Sequence, residues 1–199
     1  MKRLPIGIQS FVDLRNNDYL YADKTEEIHR LITSGKTFFL SRPRRFGKSL
    51  LISTLEAIFK GDKALFEGLY IYDRIDWTRH HPIIKLDWSS LKHSTAEEME
   101  RSMFSFLQRI AQSYQITLTS KYASDCFDEL ITCLHHTTGE QAVILVDEYD
   151  MPILDAMNAP VERTEEIRQY LQSFYKILKA TDEHLRFVFL TGVSKFAKV

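Results

Sequence analysis

Short apolar runs alternate along this chain with longer stretches whose apolar residues recur every three or four positions. That alternation predicts a parallel sheet with helical crossovers. After an aromatic lead from Phe11 to Tyr21, Asp23-Lys-Thr-Glu26 suits a helix start, with Ile28, Leu31 and Ile32 on one face and a stop at Gly35. Thr37-Phe-Phe-Leu40 reads as a buried strand, and beyond a basic turn Leu50, Leu51, Leu55, Ile58 and Phe59 keep helical spacing up to Gly61. Pro82-Ile-Ile-Lys-Leu86 is a second strand. Ser94-Thr95 with Glu97-Glu98 gives overlapping capping boxes for a helix burying Met99, Met103, Phe106, Leu107 and Ile110, and a further helix spans about 122 to 136. Ala142-Val-Ile-Leu-Val146 is the most strand-like segment, and the stripe Ile167, Tyr170, Leu171, Phe174, Ile177, Leu178 precedes a last strand, Phe187-Val-Phe-Leu190.

Of the 199 residues, 44% are hydrophobic and 27% charged, enough for a real core and incompatible with global disorder. Seven Gly and five Pro mark no interior boundary, so one domain is expected over 1–199, with a lead and helix at 1–36 and the main core at 37–199. Twenty-six Lys and Arg against 27 Asp and Glu give a net charge of −1, which argues against a bulk nucleic-acid coat protein. Cys126 and Cys133 form no disulfide framework and read as small buried hydrophobes; with no apolar run of membrane-spanning length, a cytoplasmic setting without membrane contact is expected. The pairs His80-His81 and His135-His136 read as surface residues, because neighbours in a strand or helix point to different sides.

Chemistry concentrates in Arg42-Pro-Arg-Arg-Phe-Gly-Lys-Ser49, between a predicted strand and a predicted helix. It fits the phosphate-binding pattern GxxxxGK[ST] except that Arg42 replaces the first glycine. Phosphates need converging backbone N–H groups, a helix N-terminus behind them and a reaching cation. Pro43, Arg44, Arg45, Phe46, Gly47, Lys48, Ser49 and Leu50 form this candidate site, with Gly47 removing a Cβ where the backbone approaches phosphate, Lys48 reaching the outer oxygens and Ser49 binding Mg²⁺. Ala142 to Val146 runs into Asp147-Glu148-Tyr-Asp150, acids at the C-terminal end of a hydrophobic strand, and resembles a Walker B element. Asp147 would support the metal and Glu148 polarise the attacking water, while Asp150 reads as a helix N-cap or a salt-bridge partner of a loop arginine. Thr191 emerges at the end of the next strand, where it either orients water or contacts the γ-phosphate, or simply ends the strand. Phe11, Tyr19 and Tyr21 either stack on a base or pack on the domain's own core.

Pro5-Ile-Gly-Ile-Gln-Ser-Phe11, Tyr21-Ala-Asp-Lys-Thr25, the 42–49 loop, Val146-Asp-Glu-Tyr-Asp150 and Thr191-Gly-Val-Ser-Lys195 together resemble the AAA-ATPase-like family of bacterial and archaeal P-loop proteins. The resemblance implies a three-layer P-loop NTPase sandwich of the additional-strand (ASCE) type with a mostly parallel sheet, in the order 5-1-4-3-2, here lacking its last strand. It implies ATP and Mg²⁺ as cofactors, slow hydrolysis with Lys48, Glu148 and Thr191 as the catalytic set, and Ser49 and Asp147 at the metal. Members commonly carry a C-terminal PD-(D/E)xK nuclease-like domain, so the rival reading is a non-catalytic nucleotide- or nucleic-acid-binding remnant, with nucleic acid reached only through a larger assembly. A small-molecule kinase shares the loop, although paired acids favour water as acceptor. Without its outer neighbour the 37–41 strand becomes an edge, so self-association or a covering C-terminal segment is expected there.

Overall fold

The computed structural model describes residues 2–194. Four strands, β1 (Thr37–Ser41), β2 (Ile83–Asp87), β3 (Ala142–Asp147) and β4 (Leu185–Gly192), form one sheet in the order β1-β4-β3-β2. Every pairing is parallel, so all four strands end at one edge, with Ser41 opposite Gly192, Val146 opposite Leu190 and Asp87 opposite Asp147. β4 is the additional strand, inserted between β1 and β3. No strand flanks β1 on its outer side among the described residues.

Period-two alternation divides the side chains between two cores. On one face Ile83, Val143, Leu145, Phe187 and Phe189 meet α1 (Phe11–Asn16), α2 (Thr25–Ser34) and α3 (Lys48–Lys60). On the other, Ile84, Leu86, Ile144, Val146 and Val188 meet α4 (Ala96–Ser113), α5 (Ala123–Thr138), the short α6 (Met151–Asp155) and α7 (Val161–Ala180). Covered on both faces, β3 is buried at all six positions, which is why its first five residues, Ala142 to Val146, are an unbroken apolar run before the buried Asp147. Each fully buried Leu, Ile or Phe there contributes about 1.5–3 kcal/mol.

Local signals set the helix ends. The Thr95 hydroxyl accepts from the Glu98 amide at 3.1 Å to cap α4, and Gly61 closes α3 with φ +79°, a left-handed conformation that disfavours a side chain. Two short helices, α1 and α6, lie in segments where the periodicity predicted none. Phe11 is fully buried between Tyr21 and Phe66, with centroids 5.2 and 4.8 Å away, so it packs on the core and is closed to a nucleobase. Two histidines read as surface residues are not: the His81 side chain is only 9% exposed, its Nδ1 2.9 Å from the Gln141 carbonyl, and His135 Nδ1 lies 2.9 Å from His184 Nδ1 in a half-buried contact.

The α4–α5 connection is tied down by one carboxylate. Glu129 accepts from the amides of Thr119 and Ser120 and from the Thr119 hydroxyl at 2.8–3.0 Å. Burial would raise its pKa, but these hydrogen bonds outweigh that and lower it from 4.5 to about 2. A lowered folded-state value adds stability that is present above the unfolded value and is lost as pH falls towards about 2. Glu129→Ala is therefore expected to cost about 1–3 kcal/mol near neutrality. Thermal melts from pH 6 to pH 2 should show the difference from wild type shrinking with acidification.

Candidate functional site

The 42–49 loop leaves β1 at the C-terminal edge of the sheet and enters α3, whose first turn contains Lys48 and Ser49. Two of its residues are left-handed, Arg45 at φ +69° and Gly47 at φ +74°, and such turns point successive N–H groups into a concavity suited to anions. A Cβ on Gly47 would meet nothing within 4 Å, so within the protein it is the positive φ, not crowding, that calls for glycine. Lys48 is buried, and its Nζ donates to the carbonyls of Arg42 and Pro43 at 3.1 and 3.3 Å. Arg42, Pro43, Arg44, Arg45 and Phe46 are exposed, Phe46 at 67%, and none of the three arginines forms an ion pair among the described residues. Arg44 Nη2 lies 4.0 Å from Met151 Sδ, so the loop leans over the acidic turn. Leu50 is half-buried and packs into the α3 core beneath the loop.

Asp147 ends β3 and is buried, and its Oδ1 accepts from the Thr191 hydroxyl and, at 3.1 Å, from the Glu148 amide. Thr191 itself is fully buried. Glu148 is half-buried at φ +51°, a conformation costly for a residue with a Cβ. Burial raises its pKa first, the charges of Asp147 and Asp87 raise it further, and Lys48 and Arg44 oppose them. Asp87 is a third acid at this edge that the sequence reading passed over. It ends β2 beside Asp147, and its Oδ1 accepts from the amide and hydroxyl of Ser89 at 2.9 and 2.7 Å. An acid closing a predicted strand was the available signal.

Ser49, Asp147 and Asp87 line one cavity of about 310 Å³, continued by Ser53, Glu56 and Lys85. A hydroxyl and one carboxylate, with the second close by, fit Mg²⁺, which keeps most of its water and takes further oxygens from phosphate. No cluster of three or more His, Cys, Asp or Glu side chains suited to holding a metal by itself occurs among the described residues.

Asp150 stands at the N-cap position of α6, as one of its two readings has it, but its side chain is used elsewhere. Its side chain neither caps α6 nor pairs with an arginine. Instead, Oδ2 accepts from the amides of Val193 and Ser194 at 2.9 and 2.7 Å and from the Ser194 hydroxyl at 2.8 Å. Tyr149 reaches the same segment, its amide to the Thr191 carbonyl at 2.9 Å and its hydroxyl to the Ser194 carbonyl at 3.1 Å. Lys195, the last residue of that motif, lies outside the described residues.

A parallel sheet with an extra strand beside the loop strand, a cation-bearing loop entering a helix, and acids on a neighbouring strand end define the P-loop nucleotide-binding class of α/β proteins. A family model described as predicted AAA-ATPase matches residues 5–199, and the chain belongs to that family. It is 45% identical over 199 residues to an uncharacterized protein in the vnfD 5′ region of Azotobacter chroococcum mcd 1, covering all of this chain and 38% of that protein. No solved structure matches. No helix among the described residues is long and apolar enough to cross a membrane.

The two left-handed positions make opposite demands. Gly47→Ala is expected to cost about 1 kcal/mol, whereas Glu148→Gly, which relieves a similar strain, leaves stability unchanged within about 0.5 kcal/mol. Urea melts of the two variants check both.

Proposed function

We propose that this chain binds ATP with Mg²⁺ on the 42–49 loop and hydrolyses it slowly. The observation that carries the reading is the convergence at one sheet edge of Ser49, at the head of α3, and Asp147, at the end of β3, on the same cavity. On this reading the 42–49 segment is a Walker A loop and 146–148 a Walker B element. Backbone N–H groups from Arg44 to Leu50 cradle the phosphates, Pro43 having none to give, and Lys48 turns its ammonium from the Arg42 and Pro43 carbonyls to the outer phosphate oxygens. The exposed Arg44 and Arg45 lie within the same loop and add cationic stabilisation in cis. Mg²⁺, when bound, neutralises phosphate charge; Ser49 and the free Asp147 oxygen hold it, and Thr191 fixes the orientation of that carboxylate.

Glu148 takes a proton from the attacking water. Burial and the neighbouring acids raise its pKa, which makes it a stronger base than a surface glutamate. Because the ionised form is the active one, turnover rises with pH through a value above the ordinary 4.5. Removing the Asp87 charge moves that limb to lower pH.

A second reading, a nucleotide- or nucleic-acid-binding module without turnover, is favoured by the exposed arginines, which form no ion pair among the described residues; in it the same loop takes a phosphate backbone, and binding falls steeply with salt. The activity of any longer protein that contains this region is likewise a proposal, since the chain spans 38% of its relative. β1 is less buried than its apolar run predicts, with Thr37, Phe39 and Ser41 exposed, and we assign its outer backbone edge, unpaired among the described residues, to a second copy or to a segment following residue 199.

Calorimetric titration of Mg²⁺-ATP is expected to give micromolar affinity, falling at least about tenfold in Lys48→Ala. No binding by folded wild type would overturn the proposal. Glu148→Gln is expected to lower turnover by about 10² or more with ATP still bound; unchanged turnover would leave Glu148 without its role. In a pH–rate profile, Asp87→Asn is expected to shift the acid limb downward.

A further inference from the structure

Two motifs that stand 41 residues or more apart in sequence, Asp147-Glu-Tyr-Asp150 and Thr191-Gly-Val-Ser194, meet as the two halves of one clamp. Asp150 is 1% exposed, and all three hydrogen bonds made by its carboxylate fall on Oδ2, from Val193 and Ser194. Its other oxygen, Oδ1, is buried without a hydrogen-bond partner among the described residues. A buried carboxylate with half its acceptors unused is an expensive way to fill a corner. Gly192 completes the fit by close approach: a Cβ there would lie 2.6 Å from the Tyr149 ring and 2.7 Å from Asp150 Oδ1.

The segment held by Asp150 is also held from the opposite side. The Gly192 carbonyl accepts from the Arg42 amide at 3.1 Å, and the Val193 carbonyl from the Ser41 hydroxyl at 2.9 Å, so residues 192–193 join the start of the phosphate loop to the acidic turn. Glu148 sits inside that turn at φ +51°. Its neighbours are pinned on both sides, Asp147 by Thr191, Tyr149 by the Thr191 carbonyl and Asp150 by residues 193 and 194. A left-handed non-glycine residue persists only where its surroundings over-determine it.

We propose that Asp150 is a positioning residue which, by clamping Val193 and Ser194, holds Glu148 in its strained conformation with the carboxylate aimed at the reacting water. The inference rests on the hydrolytic reading above. It requires an acceptor oxygen at position 150 rather than a negative charge, because every bond that Asp150 makes is accepted from an N–H or O–H group.

The test uses the full 199-residue chain and three variants, Asp150→Ala, Asp150→Asn and Ser194→Ala. Steady-state ATP turnover and calorimetric Mg²⁺-ATP affinity are measured side by side, with amide hydrogen exchange followed at Glu148 and Tyr149. Asp150→Ala is expected to lower kcat by about tenfold or more while affinity stays within about twofold, since the amides and Lys48 that grip phosphate are untouched. Asp150→Asn should recover most of that loss, its amide oxygen accepting the same bonds, and Ser194→Ala, which removes one bond of three, should fall between. Exchange at Glu148 and Tyr149 should quicken in the order of the kcat losses.

Turnover of Asp150→Ala within about twofold of wild type overturns the proposal, as do parallel losses of kcat and affinity or an Asp150→Asn as impaired as the alanine variant. If Asp150→Ala does not fold, the Asn and Ser194→Ala pair decides by the same criteria. If wild type turns over no ATP, the hydrolytic reading fails, and exchange alone then judges the clamp: unchanged protection of Glu148 and Tyr149 in the variants overturns it.

Discussion

The insertion of β4 between β1 and β3 is the constraint on which this site depends. It separates the strand that launches the cationic loop from the strand that ends in acids by two inter-strand spacings, about 10 Å. On the proposed reading that gap takes a terminal phosphate with its metal and a water molecule. It also means that the loop and the acids do not touch through their own strands. Besides the contact of Arg44 with Met151, what registers one against the other passes through the end of β4, where Arg42 and Ser41 bond residues 192 and 193 from one side and Asp147, Tyr149 and Asp150 bond residues 191, 193 and 194 from the other.

A net charge of −1 conceals a strong local separation. Arg42, Arg44 and Arg45 project from the loop without acidic partners among the described residues, while Asp87, Asp147 and Glu148 gather a strand or two away. Each group is unfavourable alone, like charges repelling at short range, and their mutual attraction across the edge does not neutralise either. An anion with a cation attached satisfies both sides at once, which is the electrostatic logic of a nucleotide chelating a metal. Burial first, and then the charges of Asp147 and Asp87, raise the pKa of Glu148.

Much of this was legible in the sequence. All four strands and the five longer helices follow from periodicity and capping, because β3 and the apolar stripe of α7 bury what their patterns said they would. The short helices α1 and α6 were not, since five or six residues are too few for a period to declare itself. The loop and the acids stand out in sequence because the phosphate-binding pattern and an acid pair closing an apolar strand are compact signals. Asp87 and the partners of Asp150 do not, because their meaning lies in which strand ends become neighbours. Sheet order decides that, and one chain read in isolation does not display it. The Tyr21-Ala-Asp-Lys-Thr25 segment shows the same limit: Asp23 accepts from the amides of Thr25 and Tyr70 at 2.8 Å, and Tyr70 is remote in sequence.

If the loop binds phosphate as proposed, the posture of Lys48 has a consequence for how the ligand leaves. A buried ammonium left bare would be severely penalised, so a loop that offered it only phosphate would hold its ligand tenaciously. Here the Arg42 and Pro43 carbonyls stand ready to receive the amine. On that reading the protein carries its own internal substitute for phosphate oxygens, and Lys48 is satisfied by either set. Such a loop exchanges one set of oxygens for another, which lowers the barrier to letting go as much as it tempers the grip.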